Sequence, residues 1–334
     1  MRSPASCSPG SPAIATDALT VAVTGPTGDI GRAFLRACDR SRAIGRVLGM
    51  ARRPFDPAEL GLRKTEYRQG DILDRAAVDA LVADADVVVH LAFIIMGGHD
   101  EGRRINLEGS ANVFAAARAA ERVQRLVYTS SVAAYGFHRD NPQPLTEDVP
   151  PRGTDAHYYS AEKAELEATL WETIGDLDAY VFRPCIVAGP DALMPIREIP
   201  GLLRRAPVTV LPDPGTRFQL VHHDDVASAL VAAARGAGSP GIYNLAGPGE
   251  LTARDLAHAL GWHSFPIPRA TVALAAAATA LPLVPAQAQW LNAFHTAVLM
   301  SPERARKELR WRPRHDATET LAGMVAAARE HGLL

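Results

Sequence analysis

The chain contains little cysteine, almost no net charge and no long run of strongly apolar residues. Its three cysteines, Cys7, Cys38 and Cys185, have no paired spacing, which argues against a disulfide framework and is typical of a reducing, cytoplasmic compartment. The net charge of −2, without a Lys/Arg run along one face, gives no electrostatic footprint for nucleic acid. These absences favour a cytoplasmic protein with a small-molecule partner.

Residues 269–287 come nearest to a membrane-spanning segment. The stretch is mostly alanine, Pro282 and Pro285 interrupt it, and it falls short of the ~20 strongly apolar residues that cross a bilayer. We therefore expect a buried or interface-packing helix there and no membrane partner. Residues 1–18 are rich in Ser, Pro and Ala without an apolar core of signal-peptide length, which predicts a disordered tail.

What the chain does have is an alternation of apolar and helical segments. Strands are predicted at residues 19–24, 46–50, 86–92, 125–131 and 179–183, and helices at residues 30–38, 107–120 and 158–174. This order predicts an α/β fold with a Rossmann-type, doubly wound parallel sheet. Beyond Pro184 the prolines accumulate, although residues 219–221 and 241–245 still look like returns to the sheet.

The pattern predicts two domains. Residues 19–184, with returning segments at about 217–248, are expected to form the dinucleotide-binding domain. Residues 185–216 and 249–334 would form a smaller, discontinuous substrate-binding domain.

A glycine-rich turn joins the first predicted strand to the first predicted helix. Glycines fall at positions 25, 28 and 31. Gly25 allows a tight turn, Gly28 lets backbone N–H groups approach a pyrophosphate, and Gly31 lets the helix pack closely on the strand. The helix N-terminus adds partial positive charge. Three glycines at this spacing, between the first strand and the first helix, predict a dinucleotide-binding site.

The second predicted strand ends at two arginines, Arg52 and Arg53. NAD-preferring proteins usually place an acidic residue here for the ribose hydroxyls, whereas arginines suit a 2′-phosphate. NADP is therefore the preferred cofactor. NAD stays the alternative, because two solvent-exposed arginines beside Pro54 that bind no phosphate would give the same sequence pattern.

Tyr159 and Lys163 are spaced i, i+4 on a predicted helix and share one face. A nearby ammonium is expected to lower the pKa of the tyrosine and so fit it for proton transfer. Ser131, at the end of the preceding strand, would hydrogen-bond the substrate oxygen. Tyr158 is the neighbouring competitor, but it is misaligned with Lys163 by about a third of a turn.

These motifs and their order resemble an extended short-chain dehydrogenase/reductase of the NAD(P)-dependent epimerase/dehydratase group. Beside the glycine turn, the matching segments are residues 70–72 (GDI), 88–92 (VVHLA), 106–110 (NLEGS), 127–131 (VYTSS), 135–136 (YG), 159–163, 183–184 (RP), 220–222 (LVH), 225–227 (DVA), 241–244 (GIYN) and 310–313 (RWRP). The resemblance covers roughly residues 19–325.

The resemblance implies roles for further residues. Asp71 and Ile72 would hold the adenine ring, residues 91–93 would line the cofactor cleft, and residues 184–186 would border the nicotinamide. Ser131 matches the catalytic hydroxyl, with Ser130 as runner-up. The expected cofactor contacts are Gly25, Thr27, Gly28, Asp29, Ile30, Gly31, Arg52, Arg53, Asp71, Ile72, Leu91, Ala92, Phe93, Tyr159, Lys163, Pro184, Cys185 and Ile186; the expected substrate contacts are Phe93, Ser131, Val132 and Tyr159.

No metal site is expected. His222, His223, Asp224 and Asp225 are contiguous after a strand, and no distant Cys or carboxylate cluster completes a site, so a strand end followed by an aspartate helix cap explains them better. His90 and His157 are interpreted as structural. Cys185 has no histidine partner in the sequence pattern and is interpreted as packing.

Two departures from the family pattern narrow the chemistry. Nucleotide-sugar dehydratases resemble each other in an Asp-Glu pair after the catalytic hydroxyl residue, whereas Val132 and Ala133 follow Ser131 here. Sugar-nucleotide epimerases usually carry a diphosphate-binding arginine at the position of Phe218, and Arg217 would point to the opposite face of the strand.

An apolar lining is predicted for the substrate pocket. Its candidates are Phe93 to Met96 and, beyond Pro184, Leu193, Met194, Ile196, Ile199, Leu202 and Leu203, although these residues would also suit a plain core. An NAD(P)-dependent oxidoreductase for a small apolar carbonyl or alcohol is the first hypothesis. A nucleotide-sugar epimerase with tightly bound NAD is the second, and a non-catalytic dinucleotide sensor the third. Family resemblance also suggests a homodimer through the helices near Leu107 and Leu166.

Overall fold

A computed structural model of the chain describes residues 18–95, 99–155, 157–197, 199, 209–268, 271 and 296–334. The strands are β1 (Leu19–Thr24), β2 (Ile44–Ala51), β3 (Thr65–Gln69), β4 (Val87–His90), β5 (Arg125–Thr129), β6 (Asp178–Pro184), β7 (Ile186–Ala188), β8 (Val210–Asp213), β9 (Leu220–His222), β10 (Gly241–Leu245) and β11 (His263–Pro266). The helices are α1 (Asp29–Arg40), α2 (Arg75–Val82), α3 (His99–Ala119), α4 (Tyr158–Thr173), α5 (Met194–Arg197), α6 (His223–Ala234), α7 (Ala253–Leu260), α8 (Glu303–Glu308) and α9 (Ala317–Glu330).

Seven parallel strands form the central sheet in the order β10-β6-β5-β4-β1-β2-β3. The predicted fold class, a Rossmann-type doubly wound α/β sheet, is confirmed. From β1 the chain runs outward to β2 and β3, and then continues on the other side with β4, β5 and β6. The order therefore reverses between β1 and β4, and the crevice beyond the carboxyl ends of these strands is where open α/β sheets bind ligands.

Both faces of the sheet are buried. Val21 and Val23 belong to a core shared with α1 and α6, whereas Ala22 and Val88 face a second core shared with α2, α3 and α4. Successive strand residues point to opposite faces, so a strand covered on both sides needs an almost continuous apolar run. This explains why β1 and β4 were the clearest strands in the sequence.

Two features of the fold differ from the expectation. No strand or helix was predicted between residues 51 and 85, yet β3 and α2 lie there. Residues 219–221 were expected to return to the main sheet, and this is wrong: β9 pairs with β7 in a separate two-stranded sheet. The position beside β6 in the main sheet is taken by β10, as predicted for residues 241–245.

Residues 1–17 and most of the alanine-rich stretch lie outside the described residues, so the predicted tail and helix stay predictions. Among the residues that are described, no helix combines the length and the apolar character needed to cross a bilayer.

A buried ion pair ties α4 to the sheet. Arg183 on β6 and Glu167 on α4 are both inaccessible to solvent, and Arg183 Nη2 lies 2.5 Å from Glu167 Oε2. The Arg183 Nε atom donates to the same carboxylate at 2.9 Å. The guanidinium also stacks on the Tyr135 ring, 4.3 Å from its centroid. The carboxylate therefore fixes the rotation of α4 about its own axis.

We predict that Glu167→Gln lowers the free energy of unfolding by roughly 3–5 kcal/mol, because it leaves a buried guanidinium without its counter-charge. Chemical denaturation measures this loss. Glu66→Gln is the matched control: Glu66 pairs with Arg46 on the surface, and exposed pairs contribute little. Equal losses in the two variants would contradict the account of the buried pair.

Candidate active site

Most of the loops that carry predicted site residues follow the carboxyl ends of parallel strands, whereas Tyr159 and Lys163 lie on α4. Gly25 follows β1, Arg52 follows β2, Asp71 follows β3, Leu91 follows β4, and Ser131 follows β5. Cys185 continues from β6 in the same way. Since parallel strands end at one edge of the sheet, the topology gathers these loops at the crevice described above.

The glycine turn has the shape that a dinucleotide requires. Gly25 has a φ of +74°, and a Cβ there would lie 2.6 Å from the Ala92 nitrogen. A Cβ on Gly31 would lie 2.3 Å from the Gly25 oxygen, whereas one on Gly28 would meet only that oxygen, at 3.6 Å. Gly28 caps α1 without a side-chain hydrogen bond, so no side chain occupies the first N–H groups of the helix. The turn fits a pyrophosphate.

Asp29 lies in the first turn of α1, next to this candidate phosphate site. Burial raises the pKa of its carboxyl group, and Arg197, Arg32, His223 and the Met194 N–H oppose the shift. Its side chain is therefore directed to the segment that contains α5, and only its backbone is expected to face a phosphate.

Arg52 and Arg53, which follow β2, are both exposed. The loop after β3 carries Asp71 and Ile72. Asp71 accepts a hydrogen bond from the Leu73 N–H at 3.0 Å. Ile72 is buried, and a Cβ on Gly109 would lie 2.5 Å from its side chain. These contacts shape the loop that the adenine ring is expected to approach.

Phe93 packs on the side chains of Tyr159 and Lys163. Its ring stands edge-on to the Tyr159 ring with centroids 5.4 Å apart. Lys163 Nζ lies 3.9 Å from the centre of the same ring. The structure thus brings the aromatic residue after β4 together with the Tyr-x-x-x-Lys pair of α4.

Lys163 is buried and held by oxygen atoms of β5. Its Nζ donates to the Thr129 carbonyl at 3.0 Å and lies 3.3 Å from the Tyr128 hydroxyl. Burial lowers the pKa of Lys163 to about 7, against the opposing effect of Glu167 and Glu162. An ammonium ion with this pKa is partly deprotonated at neutral pH.

The expected effect of Lys163 on Tyr159 is not what the structure shows. Burial raises the pKa of Tyr159 to about 12, although a hydrogen bond with the Ser131 side chain opposes this shift. Lys163 Nζ is 5.9 Å from the centre of the tyrosine ring and is engaged with β5. Burial therefore acts against the lowering of the pKa of Tyr159 that was expected from Lys163.

Ser130 and Ser131 have separate partners. Ser130 Oγ donates to Glu167 Oε1 at 2.5 Å and so belongs to the buried ion pair. Ser131 Oγ accepts the Ala133 N–H at 3.1 Å and shares a hydrogen bond with the Tyr159 hydroxyl. Ser131 is thus the serine that faces the tyrosine.

Tyr158 points away from this pair, because its hydroxyl donates to the Ile95 carbonyl. His157 caps α4 by accepting the Ser160 N–H at 3.3 Å, and burial lowers its pKa to about 4. His90 lies between Thr24 and Ser110, at 2.6 and 2.8 Å, with a pKa that burial lowers to about 3.

Around the expected nicotinamide position, Cys185 is buried and burial raises the pKa of its thiol, while Ile186 is 42% exposed. Leu193 and Ile196 were candidates for the substrate lining, but both are buried in a core shared with α9. Leu202, Leu203 and Met96 lie outside the described residues.

The expected aspartate cap of α6 is wrong. His222 is the cap residue, and its Nδ1 atom accepts the Asp224 N–H at 3.2 Å. Asp225 instead accepts the backbone N–H groups of Arg314 and His315, at 2.9 and 3.1 Å.

Sequence reasoning missed Glu162 and Glu167, which had looked like ordinary helix formers. Glu167 follows Lys163 by four residues, so its spacing already placed it on the catalytic face. Asn106 is buried, donates to Glu162 at 2.8 Å, and bonds both the N–H and the carbonyl of Ile94. It holds the loop that carries Phe93.

With this geometry established, the relationship to known proteins is clear. The model of the NAD dependent epimerase/dehydratase family matches residues 21–246. The chain belongs to this family. Solved structures share its fold: WbmH of Bordetella bronchiseptica, in complex with NAD+, is similar with a TM-score of 0.71 and 23% identity, over 94% of this chain and 99% of that one.

Curated relatives of the chain are named for different reactions. A ceramide reductase of Caulobacter vibrioides is 32% identical over 227 residues, which are 66% of this chain and 63% of the relative. A dTDP-glucose 4,6-dehydratase of Streptomyces niveus is 28% identical over 265 residues, 72% of this chain and 76% of the relative.

We predict that Gly28→Ala and Gly31→Ala separate binding from folding. A Cβ on Gly28 strains nothing but stands where the pyrophosphate approaches, so stability is unchanged and dinucleotide affinity falls at least about tenfold, or ~1.4 kcal/mol. Gly31→Ala overpacks the turn and destabilises the fold by roughly 1–3 kcal/mol. Calorimetry with NAD and NADP, together with denaturation, measures both. Unchanged affinity in Gly28→Ala would contradict this phosphate site.

Proposed function

We propose that the chain is an NADP(H)-dependent oxidoreductase of ketoreductase or alcohol dehydrogenase type, with a small, fairly apolar carbonyl or alcohol substrate. The observation that carries this proposal is the apolar setting of the Ser131–Tyr159 pair. The Phe93 ring stands 5.4 Å from the Tyr159 ring, and the half-buried Val132 follows Ser131. Apolar walls with a few convergent polar groups suit a small carbonyl compound.

The residues after Ser131 do not favour dehydration. Val132 and Ala133 lie in a short 3₁₀ turn over Val132–Tyr135, and neither can exchange a proton. Elimination of water from a sugar needs an acid and a base at the carbon that loses its proton. The acid/base pair expected of a dehydratase is absent from this turn.

The strand that would carry a diphosphate clamp does not favour a nucleotide sugar. Phe218 packs against the core shared by Leu220 and α9. Arg217 is directed outward, where its guanidinium lies 2.7 Å from the Glu250 carboxylate and is 57% exposed. An arginine engaged in this way is not placed to neutralise two phosphates.

The proton chemistry favours reduction. The nicotinamide, when bound, supplies or accepts the hydride. Ser131 orients the substrate oxygen through its hydroxyl, and Tyr159 transfers a proton to that oxygen. A tyrosine is protonated at neutral pH, and burial raises the pKa of Tyr159 further, to about 12. In the oxidative direction Tyr159 must first lose its proton.

The preference for NADP is proposed from Arg52 and Arg53. Both arginines are exposed after β2, at the site where a ribose 2′-phosphate of a bound dinucleotide would lie. An acidic residue would instead favour NAD.

The second candidate is an epimerase that keeps NAD bound and shows no net redox change. The dehydratase relative, which by its name acts on a nucleotide sugar, favours this alternative. Ser131, Tyr159 and Lys163 would serve reduction or epimerisation equally. Phe218 argues against the epimerase, because it stands where a diphosphate-binding arginine is expected.

We also propose a homodimer through α3 and α4. Trp171 on α4 is 43% exposed, and tryptophan is enriched at protein–protein interfaces.

We predict that Tyr159→Phe lowers kcat for NADPH-dependent reduction of apolar ketones by about 10²–10⁴-fold, because it removes the proton donor. NADPH affinity should stay nearly unchanged. Tyr158→Phe is the matched control, since its hydroxyl bonds the Ile95 carbonyl of a loop, and it should keep activity within a few-fold. Retained turnover in Tyr159→Phe would exclude the proposed proton donor.

For the cofactor preference, Arg52→Ala combined with Arg53→Ala should weaken NADPH binding by about 10–100-fold, the loss expected for one or two charge-assisted hydrogen bonds. NADH binding should barely change. Arg42→Ala, an exposed arginine before the opposite end of β2, is the control. Fluorescence titration measures the affinity of the wild type, the double variant and the control for each cofactor, and equal losses for both cofactors in the double variant would contradict the preference for NADP.

A further inference from the structure

Three histidine rings lie close together, tilted against each other, near the point where β9 ends and α6 begins. His222 and His223 have ring centroids 4.2 Å apart, and the His315 ring lies 3.9 Å from that of His222. His222 is 7% exposed and His223 is 3% exposed. None of these rings takes part in the proposed reaction.

The His223 ring has an unusual relation to Asp224. The buried His223 Nδ1 lies 3.3 Å from Asp224 Oδ1. Two donor atoms at bond lengths of 2.0–2.2 Å on a tetrahedral metal lie about 3.4 Å apart. The spacing of the two atoms therefore matches a pair of metal ligands.

His222 supplies a third donor. Its Nδ1 atom accepts the Asp224 N–H at 3.2 Å, which leaves Nε2 for a metal. One ligand atom from each of His222, His223 and Asp224 lies within 4.8 Å of the other two, so small side-chain movements bring them to one ion. The contact of the Asp191 N–H with His223 Nε2, at 3.3 Å, would lengthen when Nδ1 binds metal.

We propose that His222, His223 and Asp224 bind one divalent transition-metal ion. Two imidazoles and a carboxylate suit zinc, cobalt or nickel rather than magnesium or calcium. The expectation of no metal rested on the contiguity of these residues, whereas the turn from strand to helix makes their side chains converge. Because α6 packs against α1, the ion would brace the helix that begins at the phosphate turn.

The test is metal binding by the full-length, tag-free protein after chelator treatment. Zinc titration by calorimetry should give one equivalent, and cobalt should give a visible absorption band of a low-coordinate site. Asp224→Asn should weaken both at least about tenfold. The Asp224 side chain is 45% exposed, so this variant is expected to fold. Asp84→Asn, at an exposed carboxylate, is the control and should bind like the wild type.

A second variant, His223→Gln, should abolish the cobalt band, with the exposed His258→Gln as its control. If circular dichroism shows that His223→Gln does not fold, Asp224→Asn decides alone. Failure of the wild type to bind zinc or cobalt stoichiometrically overturns the proposal. So does unchanged affinity in Asp224→Asn, whatever the other variant does.

Discussion

The buried Glu167–Arg183 ion pair is the interaction on which the candidate active site depends. Glu167 lies four residues after Lys163 and eight after Tyr159, so all three share one face of α4. Arg183 belongs to β6, and Ser130 at the end of β5 donates to the same carboxylate. Two charges without access to solvent tolerate little rotation, because each lost contact leaves a buried charge unpaired. The pair therefore sets the direction in which α4 presents its reactive groups.

The buried ion pair also gives two adjacent serines different hydrogen-bond partners. Ser130 is held by Glu167, and Ser131 is left to face Tyr159. Burial raises the pKa of Tyr159, whose hydroxyl bonds Ser131. Tyr159 is therefore the proposed proton donor of the reaction.

Much of the fold could be predicted because parallel strands that are buried on both faces consist of nearly continuous apolar residues. Residues 19–24 form β1 as predicted, and the predicted helix 158–174 matches α4 within a residue. The strand β3 was missed because its residues, TEYRQ, are mostly polar at the edge of the sheet. The pairing of β9 with β7 was missed because strand partners are chosen by tertiary contacts that periodicity does not record.

The site shows the same division. The order of the glycine turn, Ser131 and the Tyr159–Lys163 spacing predicted the candidate reactive groups. The balance of burial against charge did not follow from spacing: Lys163 is held by β5, and desolvation decides the pKa of Tyr159. Leu193 and Ile196 were predicted to line the pocket because the sequence alone does not distinguish an apolar core residue from an apolar pocket residue. The proximity of the His222, His223 and Asp224 side chains could likewise not be predicted, because it depends on the turn from strand to helix in the folded chain.

The central claim is that the reactive set carries out net hydride transfer rather than a reversible transfer on a retained cofactor. Reduction of an apolar ketone with NADPH deuterated at the transferable position, followed by mass spectrometry of the alcohol, tests it most directly. The account predicts one deuterium on the carbinol carbon and one NADP+ released for each alcohol formed. A protein that purifies with oxidised cofactor, consumes no NADPH and inverts a nucleotide sugar without uptake of label would contradict it.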